Sequence, residues 1–445
     1  MLLSPAEAKQ ITDRLLSTSR ADSCVVAISG GDRTNLRFAR NNATTNGSLG
    51  SVSVSITSNF GGRSGSVGVN GLESEALAQA QARAEEMARL APVNPEFMPP
   101  LGAQSYAAGR GYDEESADKR AGHLAAAAKT VIQQAVGRRI NAAGYCESGR
   151  NFSAMATSAG LFAYDRNTQS RVAITARNEA GTWSGWAAGL ETRFDRLDMA
   201  ALGARAIEKA AYDAAPVDLD PGKYTVILEP SAVADLVTYL LWNLDARSAD
   251  EGRSFLSKKG GGTKLGEKLF HESVTISSDP EDPIVPEPVY SGIDGLPQKR
   301  TAWVEAGVVR NLAYSRFWAQ KMGREPQPQS QTFVMRGGPT SIADMIKDTK
   351  RGVLVTRLWY IRDVDPQTLL LTGLTRDGNF LIENGRIVGP ARNFRFNESP
   401  VAMLSNIVAM GPSQRTHGGE VDGAAFAAPP LLVKDFTFSS KSSGI

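Results

Sequence analysis

The sequence predicts an α+β protein built in two parts. Long helices on an antiparallel sheet come first, and a β-rich half with a strongly twisted sheet or open barrel follows. Three observations predict this. Residues 73–90 and 114–138 are rich in Ala, Gln, Glu and Arg, which favour helix. Ser51-Val52-Ser53-Val54-Ser55-Ile56-Thr57 alternates with period two, the pattern of a half-buried strand. Beyond residue 222 short strand-like runs dominate, among them a two-residue hairpin signal at Asn384-Gly385. The segment APVDLDPG at 215–222 has linker composition and divides the chain into domains 1–215 and 222–445.

In chain order, Ser4-Pro5-Ala6-Glu7 is a capping box with proline at the first helical position, opening a helix to about Leu16. Residues 23–29 and 34–39 read as two strands, and 51–57 as a third. Residues 64–70 pair with the third across Gly61-Gly62. Pro92, Pro95, Pro99 and Pro100 stop the helix at 73–90. Residues 114–138 read as one helix with His123 near its middle. Short strands are expected at 153–157, 160–164 and 171–176, and a helix at 195–212.

The second half opens on a strand at 225–228 followed by a helix that Ser231 is expected to cap. Val233, Leu236, Val237, Leu240, Leu241 and Leu244 give that helix one apolar face, and it is expected to end near Asn243. Residues 252–263 read as a flexible basic loop and 279–288 as a Pro-rich acidic loop. Short strands are expected at 274–277, 301–305, 308–312, 352–358, 369–374, 379–383, 386–388, 393–396 and 431–437, with a short helix at 400–409.

Composition narrows the function. Hydrophobic residues make up 42% and charged residues 22%, as in ordinary soluble domains. A net charge of +2 gives no reason to expect nucleic acid or an acidic membrane as partner. No apolar run approaches the roughly 18 residues that span a bilayer, and the first residues lack the basic and apolar regions of a signal peptide. Two cysteines, Cys24 and Cys146, make no disulfide framework, so a cytoplasmic location is expected. Three histidines leave little material for a metal site. His123 reads as structural. His271-Glu272 lacks a second His within five residues. Lys258-Lys259 before Gly260-Gly261-Gly262 lacks phosphate-loop spacing. Trp183, Trp186, Trp303, Trp318 and Trp359 are scattered and read as packing residues.

Several stretches, in order, resemble the TldD/PmbA family, paired-subunit metalloproteases also described as modulators of DNA gyrase. They include PGKYTVILEPSAVADLV, RSFLSKKGGGTKLGEKL, WVEAGVVRNLAYSRFWAQKMG, RGVLVTRLWYIRDVDPQTLLLTG and, most specific, FLIENGRIVGPARNFRFNES. The resemblance implies a helix-and-sheet N-terminal domain, a β-rich C-terminal domain, and subunits paired around an enclosed cleft. In TldD-type members the helix after TVIL carries HExxxH, whose histidines bind the metal. Alignment places Thr238, Tyr239 and Asn243 at that motif. Thr and Asn are poor ligands for a zinc-type ion, and Tyr is no general base near neutral pH. The TldD-type Cys ligand near the C-terminus is also missing, since 411–426 reads GPSQRTHGGEVDGAAF.

The resemblance therefore implies a PmbA/TldE-like subunit with no catalytic residue and no metal or cofactor of its own. A TldD-like paralogue bearing HExxxH would bring the zinc-type metal in a heterodimer, and this chain would line the cleft for unfolded peptides. Two alternatives stand beside it. One is an independent metallopeptidase using a diverged cluster of His417, Glu420 and Asp422. The other is a non-catalytic homodimeric peptide-binding scaffold.

Overall fold

Ser4 Oγ accepts the Glu7 N–H at 3.3 Å and the Glu7 carboxylate accepts the Ser4 N–H at 2.8 Å, so the capping box closes at the start of α1 (Pro5–Thr18). The computed structural model describes residues 2–212, 214–420 and 425–442. After α1 come β1 (Ser23–Ala39), β2 (Asn42–Phe60), β3 (Arg63–Asn70) and α2 (Ser74–Leu90). The predicted strands 23–29 and 34–39 are one strand. Gly30-Gly31 is no turn but a close approach inside the sheet. A Cβ on Gly30 would lie 2.7 Å from the Ser51 carbonyl oxygen, and one on Gly31 would lie 2.3 Å from that of Arg150.

The helix expected at 114–138 breaks into α3 (Glu114–Ala117) and α4 (Ala121–Gly137). Asp113 caps the first, and His123 Nδ1 accepts the Arg120 N–H at 3.2 Å at the start of the second. His123 therefore sits in the first turn of α4, not mid-helix. The short strands expected next are two long ones, β4 (Asn141–Thr157) and β5 (Phe162–Arg177). A third, β6 (Ser184–Glu191), escaped the sequence reading, because Gly185, Ala187, Ala188 and Gly189 carry no β-branched signal. The small residues are there for packing: a Cβ on Gly185 would lie 2.3 Å from the Ala206 carbonyl of α5 (Met199–Ala210). Asp198 caps α5, so that helix starts later than expected.

These six strands form one antiparallel sheet in the order β3-β2-β1-β4-β5-β6. One cluster packs α1 and α2 on it through Ala8, Leu15, Leu77 and Ala84 against Val26, Ile28, Val54 and Ile56. A second packs α4 and α5 through Leu124, Val131, Leu202 and Ile207 against Leu36, Val172 and Ile174. Alanine lets the helices lie close to the sheet, and the burial of larger side chains supplies about 25 cal/mol per Å² of apolar area.

The second half begins with β7 (Gly222–Leu228) and α6 (Pro230–Trp242), then α7 (Ala246–Asp250), β8 (Ile276–Ser278), β9 (Thr301–Glu305) and β10 (Val308–Val309). Next come α8 (Arg316–Met322), β11 (Phe333–Met335), α9 (Ile342–Asp348), β12 (Arg351–Asp365), β13 (Leu370–Glu383), β14 (Arg386–Pro390) and β15 (Phe394–Glu398). The chain ends with α10 (Pro400–Ser405), β16 (Ile407–Met410), β17 (Gln414–Thr416), β18 (Phe426–Ala428) and β19 (Leu431–Lys441). The helix expected at 400–409 stops at Ser405, and the β-branched Ile407 and Val408 pass into β16, which pairs with β19. The runs 369–374 and 379–383 are one strand. Residues 258–262 close a turn, with the Lys258 N–H donating to the Gly262 carbonyl at 2.9 Å.

The strands β12-β7-β19-β15-β13 form a ring closed by the β12–β13 ladder, so the twisted sheet is a five-stranded barrel. The Asn384-Gly385 turn, with φ of 49° and 78°, joins β13 to β14 as the sequence predicts. A second sheet runs β10-β9-β8-β11-β18-β17. Helix α6 shares one apolar cluster with barrel residues such as Val226, Val355 and Phe394 and with Ile276, Trp303 and Phe333 of the second sheet. Every residue from Ser231 to Leu241 is buried, so α6 is covered all round and not on one face only. Its first turn departs from expectation too. Pro230 occupies the first helical position, and Ser231 Oγ bonds Thr416 Oγ1 at 3.1 Å instead of capping the helix.

The two halves meet through polar and aromatic contacts. Lys209 pairs with Glu229 at 2.7 Å, and the Trp183 ring meets the Phe380 ring edge-on at 5.6 Å. Arg247 holds Glu96 through two bonds of 2.8 Å. No helix among the described residues is long and apolar enough to cross a membrane.

Candidate functional site

Helix α6, Gly419 and Glu420 beyond β17, and a bulge in β12 converge. The bulge is the starting point. Between Trp359 and Arg362 the β12–β13 ladder shifts register, and Tyr360 takes a φ of 54°. Such a bulge takes backbone groups out of the strand ladder, and each needs another partner. The Tyr360 N–H donates to Glu420 Oε2 at 2.7 Å, and the Ile361 carbonyl accepts the Tyr239 hydroxyl at 2.9 Å. Arg362 completes the corner by pairing with Glu420 Oε1 at 3.1 Å.

Asp235 fastens the loop to the helix. Its side chain is fully buried, and its two oxygens accept the Gly419 N–H at 2.9 Å and the Glu420 N–H at 3.1 Å. Hydrogen bonds to an ionised acceptor are the strong ones. The sequence did offer a sign of this residue: a single carboxylate inside an otherwise apolar helix requires partners when buried.

The three residues that the resemblance sets against HExxxH, Thr238, Tyr239 and Asn243, are close to this corner, and each is committed to a hydrogen bond. The Thr238 hydroxyl donates to the Ala234 carbonyl at 2.7 Å. Tyr239 is 8% exposed, bonds Ile361 as described, and tilts its ring against Trp242 at 5.2 Å. Burial, reinforced by the nearby charges of Glu420 and Asp363, raises the Tyr239 phenol above its ordinary pKa, away from an ionised base. Asn243 ends the helix, and its amide donates to the Tyr239 carbonyl at 2.9 Å. These residues do not fit a zinc-type ion. Two hydroxyl protons and one amide are spent on main-chain carbonyls, and none of the three presents an imidazole or carboxylate.

Of the second candidate group, His417 and Glu420 lie on the loop facing α6, and both Glu420 oxygens are engaged as above. Asp422 lies outside the described residues. Among the described residues no three His, Cys, Asp or Glu side chains gather as a metal-holding group. The two cysteines are buried on β1 and β4 of the first sheet. His271 stands in a turn, its Nδ1 2.8 Å from Ser273 Oγ, while Glu272 faces Lys268 at 3.4 Å.

Two family models match successive stretches of the chain. Residues 105–212 match the PmbA/TldA metallopeptidase central domain and residues 221–440 match the PmbA/TldA metallopeptidase C-terminal domain. A protein described as a metalloprotease from Methanothermobacter thermautotrophicus is 26% identical over 241 residues, a match spanning 50% of this chain and 50% of that protein. The fold is that of TldE from Thermococcus kodakarensis, with a TM-score of 0.85 at 18% identity over 96% of this chain and 100% of that one. A putative modulator of DNA gyrase from Thermotoga maritima gives 0.82 at 18% identity over 97% and 100%. With two successive family domains matched across most of its length, this chain belongs to the PmbA/TldD metallopeptidase family.

Proposed function

We propose that this chain is a metal-free, PmbA/TldE-like subunit that forms part of a peptide-binding cleft and is completed by a catalytic partner bearing HExxxH. The observation that carries the reading is the state of α6. Thr238, Tyr239 and Asn243, the residues that the resemblance sets at the motif, each donate to a main-chain carbonyl. The reading assigns the metal and the general base to the partner and no bond-breaking step to this chain. The proposed substrate is an unfolded peptide, held in extended form by main-chain pairing with a sheet edge. Support for such an edge beside α6 comes from β17, the last strand of the second sheet, tied to the helix by Ser231 and Thr416. The proposed compartment is the cytoplasm, where Cys24 and Cys146 stay reduced.

Cleavage of an unfolded peptide, followed for this chain, for an HExxxH-bearing paralogue, and for the two mixed, tests the reading. The expected result is no turnover by this chain alone and chelator-sensitive turnover on mixing. Turnover by this chain alone would overturn it.

A further inference from the structure

Helices cover one face of the first sheet and leave part of the other bare. Leu36, Phe38, Cys146 and Val172 of β1, β4 and β5 pack beneath the helices. Side chains alternate along a strand, so Arg33, Arg37, Tyr145, Glu147 and Arg171 point the other way. Their mutual contacts agree. Glu147 lies 3.2 Å from Arg171 and 3.8 Å from Arg33, and it accepts the Tyr145 hydroxyl. The Arg37 and Arg171 guanidiniums lie over the Tyr145 ring at 5.1 and 5.3 Å.

Toward the far end of this face the second half closes over the sheet. The Tyr290 hydroxyl bonds Ser153 Oγ at 2.8 Å, and Val289 packs with Met155. At Arg33 and Arg37 the face is open: the Arg33 side chain is 53% exposed, and Arg37 is exposed too. A trough of about 350 Å³ continues from Arg33, bordered by Ser29, Gly31, Ser51 and Ser53. Asp32 is the carboxylate on that border, and Arg150 already holds it at 3.0 Å.

Charge and spacing decide what such a face takes. Three guanidiniums gather around the single carboxylate of Glu147, a local surplus of positive charge in a chain of net charge +2. The Arg33 contact at 3.8 Å is too long for a hydrogen bond, which leaves its donors for a ligand. Guanidiniums receive carboxylates through paired donors. Arg33 and Arg37 are four residues apart on one strand, about 13 Å at roughly 3.3 Å per residue. Carboxylates four positions apart on an extended polypeptide fall at that interval and on one side. The Tyr145 ring already carries two guanidiniums, so it offers no stacking platform for nucleobases.

We infer that the open face of the first sheet binds an extended acidic polypeptide segment, with Arg33 and Arg37 each receiving a carboxylate. The site belongs to this chain alone and does not rest on the subunit reading above.

Calorimetric titration of the full chain at low ionic strength tests it with three probes. They are a Gly/Ser peptide carrying two Glu four positions apart, the same peptide with Gln in their place, and a single-stranded thymidine oligonucleotide. Saturable binding of the Glu peptide is expected, weakening as salt is added, with the Gln peptide about tenfold weaker or more. Arg33→Gln and Arg37→Gln should each weaken the Glu peptide about fivefold, the upper range for an exposed ion pair. The double variant should lose about 25-fold, because sites this far apart act independently. The Gln peptide keeps the test decisive if a variant fails to fold. No saturable binding of the Glu peptide, equal binding of the Gln peptide, binding unchanged in the folded double variant, or tighter binding of the oligonucleotide would overturn the assignment.

Discussion

Asp235→Ala is expected to destabilise the protein by about 3–5 kcal/mol, since two hydrogen bonds to a buried carboxylate are lost at about 1.5–3 kcal/mol each. The Gly419 and Glu420 N–H groups would lose their acceptor against the fully buried surface of α6. The effect should spread. Glu420 places its carboxylate on the Tyr360 N–H of the β12 bulge, so a freed loop also strips that bulge of its acceptor. Asp235→Asn keeps one oxygen acceptor and should lose less. Urea unfolding measures the change, and hydrogen exchange at Gly419, Glu420 and Tyr360 locates it. A loss below about 1 kcal/mol, the size of a single ordinary hydrogen bond, would show that the loop is held by something else.

Asp377→Ala should be comparably severe, about 3–5 kcal/mol, because it strands a buried cation. Arg357 and Asp377 pair with side chains 12% and 2% exposed, and the Ser184 hydroxyl of β6 donates to the other Asp377 oxygen at 2.7 Å. The Arg357 guanidinium also lies over the Trp186 ring at 4.9 Å, so its position joins the barrel to the first sheet. Asp377 has a φ of 51°, a conformation that Asn and Asp tolerate better than Ala. Asp377→Asn keeps that tolerance and an acceptor, so its loss should be clearly smaller. Equal midpoints for the Ala variant and the parent protein in urea would refute this account of the junction.

Much of this structure was legible in the chain because local chemistry and tertiary packing agree. Ser4 to Glu7 closes its capping box, Gly61-Gly62 and Asn384-Gly385 make their hairpins, and helix α6 follows a strand as its apolar spacing requires. The misreadings occur where partners far along the sequence override local signals. The strands read at 23–29 and 34–39 are one, because Gly30-Gly31 between them pairs with both β2 and β4. β6 has little β-forming composition apart from Trp186, and its Gly185 and Gly189 lie where α5 and Leu197 leave no room for a side chain. Ser231 looks like a cap but finds Thr416, 185 positions away.

The candidate site was half visible. Thr238, Tyr239 and Asn243 could be placed by resemblance, and His417 and Glu420 by residue type, yet nothing local joined the two sets. Asp235 and the Tyr360–Ile361 bulge make that join, through bonds between segments 60 to 185 residues apart. No spacing rule along the chain encodes such contacts.

The central claim is that the α6 slot holds no metal, and elemental analysis of the purified full-length chain tests it most directly. After incubation with excess zinc and removal of loosely held ions, the account predicts zinc far below equimolar, because the three motif residues are hydrogen-bonded to carbonyls and offer no imidazole or carboxylate. Zinc retained in equimolar amount would contradict it.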